Sequence, residues 1–147
     1  MSLLKVEDLK VYYKTRKGWV KAVDGVSYDV EEGEIIGLAG ESGCGKSTMA
    51  FSIMRLLPPE GKVVSGRILF EGENLLEKSE EEMRKIRWGK ISIIFQSAMN
   101  ALNPVLSIER QMVDAIRAHL PLTKEEAVEK AKKLFEMVGL NPERIKE

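Results

Sequence analysis

Nine consecutive residues, Gly40-Glu41-Ser42-Gly43-Cys44-Gly45-Lys46-Ser47-Thr48, have the types and spacing to do chemistry. They satisfy the pattern G-x-x-x-x-G-K-[ST], a loop that cradles phosphate. Gly40, Gly43 and Gly45 let the backbone curl and approach an anion with no side chain in the way. A curled backbone turns successive N–H groups inward, Glu41, Ser42 and Cys44 included, and makes a nest for phosphate oxygens. A helix that starts here adds its positive end, worth about 0.3–1 kcal/mol per favourable contact. Lys46 is placed to reach β- and γ-phosphates, the Ser47 hydroxyl to ligate Mg2+, and Thr48 to support the α-phosphate side. The expectation is a site for a nucleoside triphosphate with magnesium. A glycine-rich turn that fits the pattern by accident is the alternative, and the flanking elements weigh against it.

Those elements must position the loop. Residues 35–39, Ile-Ile-Gly-Leu-Ala, read as a short buried parallel strand. Residues 48–57 read as a helix, with Ala50, Ile53, Met54 and Leu57 sharing a face. Upstream, Leu9, Val11 and Tyr13 alternate with Lys10 and Tyr12, which predicts a strand over 3–13. Thr15-Arg16-Lys17-Gly18 is a polar turn, and a second strand region runs from Trp19 through Val26, Tyr28 and Val30. Downstream, Pro58-Pro59-Glu60-Gly61 interrupts the chain before a short strand over 65–72. A capping box of Ser79 and Glu82 opens a small helix to Arg87. Residues 91–95 read as a second buried strand, ending at Gln96, and a loop follows to Pro104. Ser107 caps a helix to Leu120 with Ile108, Met112, Ala115 and Ile116 on one face. Thr123 and Glu126 form another capping box, for a helix over 124–138 with Ala127, Val128, Ala131, Leu134, Phe135 and Val138 as its apolar stripe. Gly139 stops that helix, and Asn141-Pro142 reads as the cap and first position of one more.

Four single residues are weighed one by one. Tyr13 can stack its ring on an adenine, but taken alone it reads as a strand aromatic. Gln96 stands at the carboxyl end of a buried strand, where ligands of α/β sheets bind, and can reach a metal ion or its water. Taken alone it reads as a polar strand terminus. Cys44, the one cysteine, reads as a small residue in a tight loop rather than a redox switch, and His119, the one histidine, as structural. The 147 residues carry zero formal net charge, so no global field steers the chain toward nucleic acid. With no long apolar run and no signal peptide in these residues, a cytoplasmic protein is the expectation.

The order of Tyr13, Ala22-Val23-Asp24-Gly25-Val26-Ser27, Gly33-Glu34, the phosphate loop, Gly66 and Phe95-Gln96 resembles the nucleotide-binding subunit of ABC transporters. The tract Phe95-Gln96-Ser97-Ala98-Met99-Asn100-Ala101-Leu102-Asn103-Pro104 is similar to the oligopeptide, dipeptide and nickel importer branch. The resemblance implies an α/β P-loop NTPase fold, here its N-terminal part, with an antiparallel β subdomain and the start of a helical subdomain. It implies a partial nucleotide-binding core over 1–96 and the helical start over 97–147. Tyr13 would stack on adenine with Ala22 nearby. Lys46, Ser47 and Thr48 would hold the phosphates of ATP and Mg2+. Gln96 would contact the metal or its water and sense the membrane subunits. The implied partners are membrane permease subunits, a second ATP-binding subunit and, indirectly, a solute-binding protein, with no nucleic acid. The implied location is the cytoplasmic face of the plasma membrane.

The departures from that family are as informative. A signature like L-S-G-G-Q, a hydrophobic strand ending in Asp-Glu and a switch histidine do not occur in these residues. The expectation is therefore an N-terminal portion of a longer ATPase, with nucleotide bound weakly and not hydrolysed by this portion alone. In the family fold, further strands lie between 35–39 and 91–95. Without them both runs present apolar edges, which either pair with each other or draw a second chain. Two other classes remain open at this level: the N-terminal half of a chromosome-maintenance or repair ATPase, and a small P-loop kinase. Sustained heptads that would favour the first, and a lid or acceptor site that would favour the second, are not evident. For the transported solute the same resemblance implies di- or oligopeptide, with nickel or a sugar oligomer as open alternatives.

Overall fold

Alternating apolar residues on β1 (Ser2–Thr15) build the centre of an antiparallel sheet with the order β2-β1-β3-β4. The computed structural model describes residues 2–96 and 101–147, and its backbone groups into two units, Met1–Arg84 and Lys85–Glu147. In the first unit β1 turns at Thr15, whose hydroxyl donates to the Gly18 carbonyl at 2.7 Å. The chain returns as β2 (Gly18–Glu31), in register from Thr15 opposite Gly18 to Ser2 opposite Glu31. On its other side β1 pairs with β3 (Gly61–Phe70), which continues into the two-residue β4 (Glu73–Asn74). Val6, Leu9 and Val11 of β1, Val23 of β2 and Ile68 and Phe70 of β3 are buried. Helix α1 (Lys46–Ile53) lies against β1 and β2 and buries Met49 and Ser52.

Helix α1 is shorter than the predicted 48–57; of its predicted face Met54 is buried, while Ala50, Ile53 and Leu57 are only half-buried and Met49 and Ser52 are turned inward. The reason is a local stop at Arg55. That residue adopts φ 51°, its N–H donates to the Ser52 carbonyl at 3.1 Å, and the Leu56 N–H donates to the Phe51 carbonyl at 2.8 Å. This is the paired closure that normally uses glycine. Here the Arg55 guanidinium holds the turn by donating to the carbonyls of Leu75, at 3.2 Å, and Lys78.

The runs 35–39 and 91–95 do not form the buried strands predicted for them. Residues 34–40 take no ladder partner, and Ile35 is 97% exposed. In the second run Ile91 makes an isolated bridge to Arg87, the run joins no strand of the sheet, and Ile94 is 93% exposed. An apolar run becomes a strand only where another strand completes its hydrogen bonds. Among the described residues every ladder belongs to the β2-β1-β3-β4 sheet.

Helix α2 (Glu80–Ile86) begins with the predicted box: Ser79 Oγ accepts from the Glu82 N–H, and the Glu82 carboxylate accepts from the Ser79 N–H at 2.7 Å. In the second unit α3 (Ile108–His119) and α4 (Lys124–Met137) pack with a closing 3-10 turn (Pro142–Lys146). Their shared core is Val113, Ile116, Ala127, Ala131, Phe135 and Ile145. Val113 replaces the predicted Ala115 on the inner face of α3, and Val138, predicted in the α4 stripe, is exposed past the helix end. Ser107 caps α3, Thr123 and Glu126 close their box on α4, and Asn141 caps the final turn. His119 stacks on Trp88, ring centroids 5.0 Å apart, in keeping with a structural role. The loop predicted over 97–104 and the boundary predicted after Gln96 involve residues 97–100, which lie outside the described residues.

Candidate functional site

The phosphate-loop residues form one curl between β2 and α1 in the first unit. Gly43 (φ 81°) and Gly45 (φ 93°) both take left-handed backbone, and Gly45 is the N-cap of α1. The Cys44 N–H donates to the Glu41 carbonyl at 3.3 Å, which closes the curl. Lys46 folds back over it. Its ammonium donates to the carbonyls of Gly40 at 2.7 Å and Glu41 at 2.6 Å, and lies 3.2 Å from Cys44 Sγ. The lysine is therefore held in the loop by main-chain acceptors, which an incoming phosphate would have to replace.

The start of α1 differs from the other helix starts. Ser79, Ser107, Thr123 and Asn141 each cap their helix with a side-chain oxygen, and each of those first turns carries a glutamate. Helix α1 has no side-chain cap and no acidic residue in its first turn. Its first N–H groups are the unpaired donors of any helix start, and they carry the positive end of the helix dipole. A curl with two left-handed glycines, an uncapped helix start and an ammonium at its mouth could receive the phosphates of a nucleotide. Ser47, exposed, and Thr48, half-buried, stand in this first turn. Among the described residues no cluster of His, Cys, Asp or Glu could hold a metal ion by itself. In this first turn the Ser47 hydroxyl is the side-chain oxygen that could reach a magnesium ion held by the phosphates.

Two strands supply the walls. Ala22 of β2 approaches the loop so closely that a Cβ on Gly45 would lie 2.2 Å from its carbonyl oxygen. That stretch of β2 is tied to β1 by Tyr12, whose hydroxyl donates to Asp24 Oδ1 at 2.6 Å, with Lys21 Nζ on Oδ2 at 3.4 Å. The Tyr12 hydrogen bond, helped by the Lys21 charge, holds the Asp24 carboxyl below its usual range. The Tyr13 side chain is half-buried, and its hydroxyl lies 3.2 Å from Thr48 Oγ1. Its ring lies against Gly61, where an added Cβ would come within 2.8 Å of Tyr13 Cε1. The structure thus brings Tyr13 together with the phosphate loop, across 35 residues of sequence. Sequence reasoning read Gly61 only as part of a chain break. Its signal was a glycine opposite an aromatic in the next strand, visible once the β1–β3 register is known.

Gln96 belongs to the second unit, is exposed, and follows the run 91–95. The chain resumes in description at Ala101. There Gln111 of α3 fastens the loop: its Oε1 accepts from the Asn103 N–H at 2.8 Å, and its Nε2 donates to the carbonyls of Asn103 at 3.0 Å and Leu106 at 2.9 Å. Among the described residues no helix is long and apolar enough to cross a membrane.

Known proteins resemble this chain in sequence and in fold. The dipeptide transport ATP-binding protein DppD of Caldanaerobacter subterraneus is 41% identical over 97% of this chain and 44% of its own length. The Bacillus subtilis proteins DppD, a dipeptide transport ATP-binding protein, and OppD, its oligopeptide counterpart, are 45% and 41% identical over 94% of the chain, which spans 42% and 39% of them. The chain therefore spans less than half the length of these curated relatives. Among solved structures, a dimeric bacterial ABC transporter cassette superposes with a TM-score of 0.81 at 26% identity, over 98% of this chain and 60% of the cassette. The cbiO1 protein of Clostridium perfringens, part of an ABC transporter complex, does so with a TM-score of 0.66 at 27% identity, over 99% of this chain and 53% of that one. Residues 23–147 match the ABC transporter domain as a family, and the chain belongs to that family.

Proposed function

We propose that this chain binds the triphosphate of MgATP as part of an importer ATPase that powers uptake of di- and oligopeptides. The observation that carries the reading is the start of α1, which alone among the described helix starts lacks a side-chain cap and opens from a loop of left-handed glycines. The transport roles named for the relatives supply the substrate class. Gly40, Glu41, Ser42, Gly43, Cys44 and Gly45 cradle the phosphates with main-chain groups. Lys46 exchanges the Gly40 and Glu41 carbonyls for β- and γ-phosphate oxygens. Ser47 ligates Mg2+, Thr48 supports the α-phosphate side, and the Tyr13 ring carries the adenine. Gln96 contacts the metal or its water and links it to permease subunits on the cytoplasmic face of the plasma membrane. A second ATP-binding subunit and a solute-binding protein complete the assembly. ATP supplies the free energy of phosphate transfer to water; the residues here bind and orient it, and none of them is assigned as the general base.

Calorimetric titration with MgATP tests this reading. A lysine that makes charge-assisted hydrogen bonds to phosphate contributes about 1.5–3 kcal/mol, so Lys46→Ala should weaken binding by roughly ten- to a hundredfold. Unchanged affinity in Lys46→Ala would overturn the assignment.

A further inference from the structure

The geometry points to a second task for Tyr13: its hydroxyl is a positioning group that orients Thr48 toward bound phosphate through a two-hydroxyl relay. The inference rests on the nucleotide-binding role proposed above and goes beyond the stacking assigned to the ring. Tyr13 sits in the central strand β1, opposite Val20 of β2 and Gly61 of β3. Ladders on both sides fix its backbone. Its ring fits only because Gly61 is bare: a Cβ there would stand 2.8 Å from Cε1 and 3.3 Å from Cδ1. The ring is thereby aimed at α1, where its hydroxyl meets Thr48 Oγ1 at 3.2 Å, partly shielded from water.

The direction of this bond follows from hydroxyl chemistry. A hydroxyl has one proton to donate and two lone pairs to accept with. A phosphate oxygen that is ionised only accepts. When Thr48 gives its proton to such an oxygen, the contact with Tyr13 persists only if Tyr13 donates to Thr48. The anion then sets the sense of both bonds, and each polarises the next. The stacking role needs the ring alone. The relay needs the oxygen, so the two are separable by a single atom.

The experiment titrates the protein that carries this sequence with two probes, MgATP and the magnesium complex of inorganic tripolyphosphate, which has no base to stack. Tyr13→Phe keeps the ring and should weaken both probes alike, by about three- to tenfold, the loss of one net hydrogen bond. Thr48→Val should do at least as much, and the double variant should be no worse than Thr48→Val alone. Thr48→Ser restores the hydroxyl and should recover most of the affinity that Thr48→Val loses; if it recovers none, the methyl group and not the hydroxyl matters, and the relay fails even where Tyr13→Phe disturbs folding. Unchanged tripolyphosphate affinity in Tyr13→Phe would overturn the relay, as would single losses that multiply in the double variant. A wild-type protein that binds neither probe would overturn the nucleotide-binding role and the relay with it. Binding that Lys46→Ala abolishes but Tyr13→Phe leaves untouched would remove the relay alone.

Discussion

Replacing Gly45 with alanine imposes two separate costs on the phosphate loop. Gly45 sits at φ 93°, ψ 3°, where a residue with a Cβ is disfavoured by about 1–2 kcal/mol. A Cβ there would also stand 2.2 Å from the Ala22 carbonyl oxygen and 3.5 Å from Val23 Cγ2. Unbonded carbon and oxygen rest roughly 3.3–3.6 Å apart, so β2 and the start of α1 would have to part by about 1 Å. Overpacking of that kind costs about 1–3 kcal/mol. The sum, about 2–5 kcal/mol, is a large share of the roughly 5–15 kcal/mol that holds a domain together. Gly43 is the internal control. It has φ 81° with nothing within 4 Å of the added Cβ, so Gly43→Ala carries the backbone cost of about 1–2 kcal/mol and no clash. Alanine also stiffens the unfolded chain, by the same amount in both variants, and that term cancels in their difference. Urea titration followed by far-ultraviolet circular dichroism should therefore place Gly45→Ala below Gly43→Ala by about 1–3 kcal/mol. MgATP titration should show the larger loss in Gly45→Ala as well, because the displaced element carries Lys46, Ser47 and Thr48. Equal stability losses in the two variants would refute the close approach of α1 to β2.

Two other outcomes follow from the same structure. In the assembled transporter, Gln96→Ala should reduce transport-coupled ATP turnover while leaving MgATP affinity nearly intact; equal losses of binding and of turnover in a titration would count against a coupling role. The 147 residues expressed alone should associate with rising concentration by light scattering, since Ile35 at 97% and Ile94 at 93% exposure stand on unpaired backbone. Ile35→Lys and Ile94→Lys together should suppress that association, and a compact monomer that turns over MgATP would contradict the reading of these residues as a binding portion.

What the sequence revealed depended on how far apart the interacting residues are. Caps were fully legible: Ser79 with Glu82 and Thr123 with Glu126 are three residues apart, and both boxes form as their spacing predicts. The β1–β2 hairpin was legible for the same reason, since its turn is set by Thr15 and Gly18. The end of α1 was not. Its stop depends on a left-handed Arg55 held by the carbonyls of Leu75 and Lys78, more than a turn of sequence away, and arginine is not a residue that marks helix ends. On α3 and α4, unlike α1, the helical faces were legible but for one residue each: on α3 the inner face takes Val113 in place of Ala115, a shift that the partner surface decides.

The candidate site divides along the same line. The curl from Gly40 to Thr48 was legible because the residues that shape it are consecutive: Gly43 and Gly45 take the left-handed backbone that the glycine spacing predicts. Tyr13 was ambiguous because its partners are Gly61 and Thr48, which no local pattern joins to it. Periodicity told which face of β1 it occupies but not what stands opposite. The runs 35–39 and 91–95 show the converse. Five apolar residues between turn signals describe a segment fit to be a buried strand, yet burial is a property of the neighbours. Without a ladder on either side, the same composition that predicts a core strand leaves Ile35 and Ile94 in water. An unpaired strand loses its hydrogen-bond partners as well as its apolar cover. A stretch that reads as the most buried in the sequence is then the one with most to gain from the next strand it meets.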